Sequence, residues 1–364
     1  MAGGQPYVMS VRQIEMALRK KVLDVARTYL PNGRKVDGYW RVGGIDGHAG
    51  NSLGVQLEGT NAGLWVDYSD PKGPDMAGDC LSLIRLTECG GDMIEAIKEA
   101  KRFLRIDDWT PAQVAKAQID TVKMAADLQA KEQADAEAKM KGARSLWHHA
   151  NARPIAGTPA EAYLEGRGIR LAALGAWPGS LKFHPEVYNR EIGGKIPAML
   201  AMAVTPQGKH VATHRTYLQR CPTRGWTKID SPNAKMVLGK IGGGFVPLRK
   251  GDSGRSMANL PAGEPIVMTE GIEDALTIAM ARPGARVIAA YSVGNMGAIV
   301  FPEALGRLII AADRDPPGSD AVAALERAIA RQQSRAVKVQ LVMPPIGAKD
   351  FNAWLTGEAK EVAA

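Results

Sequence analysis

Acidic residues close three short apolar runs in the last quarter of the chain. Ile266-Val267-Met268-Thr269 leads into Glu270-Gly271-Ile272-Glu273-Asp274, and Leu308-Ile309-Ile310-Ala311-Ala312 leads into Asp313-Arg314-Asp315. A third run, 337–343, precedes Gly347-Ala348-Lys349-Asp350-Phe351-Asn352. Apolar runs of this length, separated by helix-length segments, read as βαβ units that build a parallel sheet. Such sheets collect ligands beyond the carboxyl ends of their strands. Glu270, Asp313 and Asp315 are therefore expected on one rim. Three or more carboxylates on a rim repel one another unless a cation sits among them, and hard oxygen donors suit Mg²⁺. Gly271 is expected to turn the backbone tightly so that a helix begins at once behind Glu270. Glu273 lies in that helix with no evident role, so its replacement by Gln is expected to change little.

The order strand, Glu-Gly, helix; strand, Asp-x-Asp, helix; strand, Lys-Asp resembles the Toprim domain of DnaG-type primases and topoisomerases. Glu270 falls on that family's glutamate, and Asp274 on the acid that primases carry four residues later. Asp313 and Asp315 fall on its Asp-x-Asp, followed by a similar helix start, Gly318-Ser319-Asp320-Ala321; Asp350 falls on the late acid. Asn352 departs from the pattern, standing where primases often have a further Asp. The resemblance implies an α/β fold with a Rossmann-like parallel sheet. It implies Glu270, Asp313 and Asp315 as catalytic residues, and Glu270, Asp274, Asp313, Asp315 and Asp350 as the ligands of Mg²⁺ or Mn²⁺.

The elements that must position these acids lie in a chain of 364 residues, enough for two or three domains with cores of their own. Its formal net charge is +8, although the proposed site is acidic. The positive charge must therefore lie elsewhere, which suits a polyanionic partner such as nucleic acid. Cys80, Cys89 and Cys221 form no CxxC pair, which argues against a disulfide framework and a cysteine-based zinc site. No apolar run reaches transmembrane length, and the first twelve residues carry no signal-peptide core. A soluble, cytoplasmic protein without a membrane partner is expected.

Residues 145–260 are expected to form an α+β subdomain. Thr158-Pro159 opens a helix (Thr at the N-cap, Pro at N1) that ends at Arg167-Gly168, and two strands flank Pro206-Gln207-Gly208. Tyr163-Leu164…Arg167-Gly168, and later Lys228 with Ser231-Pro232, resemble the segment that precedes Toprim in the primase core. There a basic subdomain faces the acids across a shallow cleft. The resemblance makes Arg167, Arg215, Lys228, Lys235, Lys240 and Lys349 candidates for nucleotide or nucleic-acid contact, the alternative being ordinary solvated cations. Gly242-Gly243-Gly244 lacks the Gly-Lys-Ser/Thr of a P-loop.

Residues 109–144 read as a polar helical linker, and 1–108 as a small α+β domain with one helix over 11–30 and glycine-punctuated strands over 36–70. Trp65-Val66-Asp67 and Gly78-Asp79 resemble the zinc ribbon of DnaG-type primases. At that family's ligand positions this chain has Gly, Asp, Ser and Asp, with only His48 left, so no zinc is expected. Trp40, Trp65 and Tyr68 could stack on bases if exposed; their spacing favours the core of the small sheet.

The expected architecture is a Toprim domain (261–356) preceded by a basic α+β subdomain and a ribbon-like domain. The resemblance implies primer synthesis on single-stranded DNA from nucleoside triphosphates by Mg²⁺-dependent nucleotidyl transfer, for a phage or other mobile element, beside a separate replicative helicase. A Toprim nuclease and a non-catalytic single-stranded-DNA-binding protein are the alternatives.

Overall fold

The computed structural model describes residues 9–69, 75–106 and 111–357. Most of the stretch read for a leader and the join between the first domain and the linker (107–110) lie outside them. The chain divides into two compact units, 1–134 and 135–364.

In the first unit Ser10 and Gln13 form a capping box, each side chain accepting from the other's backbone N–H. Two helices follow where one was expected: α1 (Val11–Lys20) and α2 (Val22–Tyr29). Lys21 leaves the helical region, at φ −112° and ψ 25°, and its N–H bonds the Leu18 carbonyl. The break lets Ile14 and Leu18 of α1 and Val25 and Ala26 of α2 enter one core. Five strands form an antiparallel meander: β1 (Arg34–Val36), β2 (Tyr39–Val42), β3 (Leu53–Gln56), β4 (Trp65–Asp67) and β5 (Ala77–Gly78). Helix α3 (Cys80–Thr87), capped by Asp79, and α4 (Met93–Leu104), capped by Asp92, close the core. Trp40 and Trp65 are buried in it, and their indole N–H groups donate to the carbonyls of Leu30 and Asp79. Tyr68 is exposed. The core expectation holds for the tryptophans and fails for Tyr68. Helix α5 (Pro111–Trp147) continues from this unit into the next.

The second unit holds two sheets. β6 (Arg153–Pro154), α6 (Pro159–Gly166) and α7 (Leu171–Leu174) precede the long strands β7 (Leu181–Asn189), β8 (Gly194–Val204) and β9 (His210–Cys221). Thr158 caps α6 by accepting from Ala160 N–H, with Pro159 in the first turn. β10 (Gly225–Lys228) and β11 (Lys235–Gly239) both pair with β9, on successive parts of its length, in an antiparallel sheet.

The second sheet runs β12 (Val246–Lys250), β14 (Arg286–Ala289), β13 (Pro265–Thr269), β15 (Arg307–Ala311), β16 (Val339–Val342). Its last four strands are parallel, and β12 is antiparallel to β14. Strand β12 lies inside the segment 145–260 yet belongs to this sheet, and β14 joins the three strands read from the sequence. Helices α8 (Ile272–Ala281), α9 (Val293–Met296), α10 (Asp320–Gln333) and α11 (Phe351–Thr356) alternate with the strands. Ile266 and Met268 of β13 and Leu308 and Ile310 of β15 are fully buried, as a parallel sheet requires of its central strands. The fold is α/β, a mixed and mainly parallel sheet preceded by α+β elements. No helix among the described residues is long and apolar enough to cross a membrane.

Candidate active site

Strand order sets the site. β13 lies between β14 and β15, so the chain winds to one side of β13 and then to the other. A crevice opens at such a switch point, outside the carboxyl ends of the strands. Thr269 pairs with Ala311, so Glu270 and the Asp313–Asp315 turn leave the sheet on one rim. The Tyr291 N–H donates to the Glu270 carbonyl at 2.9 Å and the Arg314 N–H to the Lys349 carbonyl at 2.6 Å, which ties the late loop to the Asp-x-Asp turn. Asp350 caps α11 by accepting from Ala353 N–H, and Asn352 N–H donates to Asp274 Oδ1 at 2.9 Å. Gly271 serves a different purpose from the one expected. Its φ is −89°, which any residue adopts; a Cβ there would instead approach Asp274 Oδ2 to 3.2 Å and Glu273 Oε2 to 3.6 Å. Glycine leaves room for the Asp274 carboxylate.

The resulting cleft, about 290 Å³, gathers most of the residues expected from the sequence. Glu270, Asp274, Asp313 and Asp350 line it, together with Arg167, Lys228, Lys235 and Lys349. Asp315, Arg215 and Lys240 do not line it. Asp315 is near enough for its charge to act on Glu270 and Asp313. The Arg215 guanidinium lies 5.8 Å from the Tyr217 ring centre, and Lys240 is exposed.

The acids are frustrated by their surroundings. Burial, then the neighbouring Asp350, push Asp274 up to about 7. Burial, Asp350, Glu270 and Asp315 push Asp313 up to about 6. Glu270 is raised in the same way, by burial and then by Asp315. Lys228 is lowered by burial and by the Lys235 charge.

Three further residues of the cleft were not read from the sequence as functional. Glu273 is the main one, and it is not the unpartnered helix acid that the sequence leads one to expect. It is buried in the first turn of α8; Oε1 accepts from the Tyr163 hydroxyl at 2.6 Å and Oε2 from the Lys235 ammonium at 3.0 Å. Although burial opposes its charge, Lys235 and the Tyr163 hydroxyl hold its carboxyl well below the usual carboxylate range. His214 is fully buried, and burial lowers it to about 3, so it is neutral near pH 7. Its ring meets Tyr291 edge-on at 5.0 Å, and Tyr291 has a positive φ of 75°, costly for a side chain of that size.

Among the described residues, no three His, Cys, Asp or Glu side chains stand together as a ready metal site. The donor chemistry nevertheless fits a hard divalent cation. Four carboxylates converge on the cleft, and the raised Asp274 and Asp313 mark a cluster that a cation would relieve. In the first unit, the Cys80 thiol is buried against the Gly63 carbonyl, and His48 contacts Asp46.

Residues 137–248 match a domain of unknown function (DUF7146), and residues 265–361 match the Toprim domain. No curated protein matches the chain. Among solved structures, it is similar to the zinc-binding and RNA polymerase domains of the Aquifex aeolicus primase at 15% identity, covering 97% of this chain and 84% of that one, with a TM-score of 0.38. It is similar to the primase fragment of the bacteriophage T7 primase-helicase protein at 17% identity, 58% and 72% coverage and a TM-score of 0.35. A DNA primase domain from Pseudomonas aeruginosa gives 16%, 62% and 74%, and 0.34. The part of the chain that matches the Toprim domain, residues 265–361, holds the parallel strands of a Toprim-like α/β sheet.

Proposed function

We propose that the chain is a Toprim primase-like nucleotidyl transferase that makes short oligonucleotides on single-stranded DNA, drawing on nucleoside triphosphates. One observation carries this reading: a single cleft at the switch point of the Toprim sheet sets Glu270, Asp274, Asp313 and Asp350 against Arg167, Lys228, Lys235 and Lys349. Acids and bases that line one cleft suit a ligand that is itself a polyanion carrying metal ions, as a nucleoside triphosphate is.

Mg²⁺ or Mn²⁺, when bound by Glu270, Asp274, Asp313, Asp315 and Asp350, would neutralise phosphate charge and align the attacking and leaving oxygens. Arg167, Lys228 and Lys349, which line the same cleft, would hold phosphate oxygens. Glu270 lies half-buried at the end of β13, anchored through its backbone by Tyr291, and its raised proton affinity suits a group that takes and returns a proton at the primer hydroxyl. Arg215 and Lys240, outside the cleft, are proposed as contacts to the template backbone. The resemblance to primases further suggests a separate helicase as partner and a cytoplasmic setting.

The test is incubation with single-stranded DNA, labelled NTPs or dNTPs, and Mg²⁺ or Mn²⁺. Short labelled oligomers are the expected product. Shortened DNA would point to a nuclease, and neither product to a binding protein; both outcomes count against the proposal.

A further inference from the structure

Glu273 spends both carboxylate oxygens inside the protein, one on Tyr163 of α6 and the other on Lys235 of β11. Its side chain is 6% exposed, whereas that of Lys235 is 34% exposed and lines the cleft beside Glu270 and Asp274. Lys235 is therefore a cation with one fixed partner behind it and a cluster of carboxylates in front. Its charge is already felt by Glu270 and Asp274. A lysine stem has four rotatable carbons and reaches several positions; its anchor decides which one it takes.

We propose that Glu273 is a positioning residue which holds the Lys235 ammonium back from the acid cluster, keeping those carboxylates free for a divalent cation and Lys235 free for a phosphate. The inference rests on the proposed function for its ligands. Without the Glu273 charge, Lys235 turns to the carboxylates whose charge it already feels, Glu270 and Asp274. An ammonium paired there displaces a divalent cation by occupying its oxygens. Tyr163 completes the device: its hydroxyl fixes the Glu273 rotamer by taking the other oxygen. A bystander ion pair has no such consequence, because breaking it costs stability and leaves metal affinity alone.

The pair therefore predicts an unusual double-variant pattern in the full chain. Mn²⁺ binding is followed by the EPR signal of free Mn²⁺, and phosphate binding by titration with inorganic tripolyphosphate at saturating Mn²⁺. Glu273→Gln should weaken Mn²⁺ binding about tenfold, the equivalent of one lost charge-assisted contact. Lys235→Met/Glu273→Gln, in which both charges are gone, should restore Mn²⁺ affinity to wild type or better. The same double variant should still bind tripolyphosphate about tenfold more weakly, because the phosphate has lost its ammonium. Wild-type Mn²⁺ affinity in Glu273→Gln overturns the proposal, as does a double variant that binds Mn²⁺ no better than the single one. If Glu273→Gln does not fold, the double variant decides alone: undiminished Mn²⁺ affinity with weakened tripolyphosphate binding supports the proposal, and undiminished tripolyphosphate binding refutes it. Asp313→Asn separates the two levels. If it leaves Mn²⁺ binding unchanged, the metal site itself is misplaced, whatever Glu273 does.

Discussion

Asn352→Asp installs the acid that the primase pattern leads one to expect, and the structure predicts that it damages the protein. Asn352 is fully buried. Its amide nitrogen donates to the Arg167 carbonyl at 2.8 Å and to Thr277 Oγ1 at 3.0 Å, while its backbone N–H donates to Asp274 Oδ1. The side chain thus fastens α11 to α8 and to the turn after α6. A carboxylate has no donors to offer. The Thr277 hydroxyl can rotate and donate instead, but the Arg167 carbonyl cannot. Each buried hydrogen-bonding group left unsatisfied costs about 1–3 kcal/mol, and a new charge beside the already raised Asp274 adds to this. A loss of about 3–5 kcal/mol at pH 8 follows, within the range for one partner removed from a buried network. The new Asp would have its folded-state pKa raised by burial. Its contribution to stability is therefore fullest below its unfolded value of about 3.9 and is lost as pH rises through the folded value. Urea unfolding of Asn352→Asp and wild type, followed by far-UV circular dichroism at pH 5 and pH 8, should show a gap that widens with pH. A variant within about 0.5 kcal/mol of wild type at pH 8 would refute this account of Asn352.

The other predictions concern the first unit and the DNA. Glu15 is pushed up to about 7 by burial and then by Asp79, although it accepts from the N–H groups of Cys80 and Leu81 at the start of α3. Raised from 4.5, it contributes stability fully below about 4.5 and loses it as pH rises through about 7, on the order of 3 kcal/mol. The difference in stability between wild type and Glu15→Gln should therefore change over that window, wild type losing ground as pH rises; a constant difference would contradict the assignment. Single-strand affinity should fall steeply with salt, and Lys228→Ala should lower the logarithmic salt slope by about 0.7, the share of one phosphate contact. An unchanged slope would place Lys228 off the phosphate path.

Much of the site was legible because it obeys short-range rules. The runs before Glu270 and Asp313 are the central strands of a parallel sheet, buried on one face and at least half-buried on the other, which makes them continuously apolar. Thr158-Pro159 announced a helix start through capping chemistry that lies within three residues. Glu273 was not legible, since its partners stand 110 and 38 residues away and only the fold brings them together. The same holds for β12, an antiparallel edge strand recruited from the preceding segment, and for Asn352, whose amide answers a carbonyl 185 residues distant. At Lys21 there is neither glycine nor proline, so the break between α1 and α2 follows from packing rather than from a local signal.

Glu270→Gln tests the central claim most directly. It keeps the size and hydrogen-bonding shape of the side chain and removes its charge and proton-transfer capacity. Glu326→Gln, exposed on α10, is a sounder control than Glu273→Gln, because Glu273 carries the Tyr163 and Lys235 contacts. With single-stranded DNA, labelled nucleotides and Mn²⁺, wild type and Glu326→Gln should yield short oligonucleotides, and Glu270→Gln none, while all three bind the DNA equally. Full synthesis by Glu270→Gln would contradict the assignment of the active centre to this cleft.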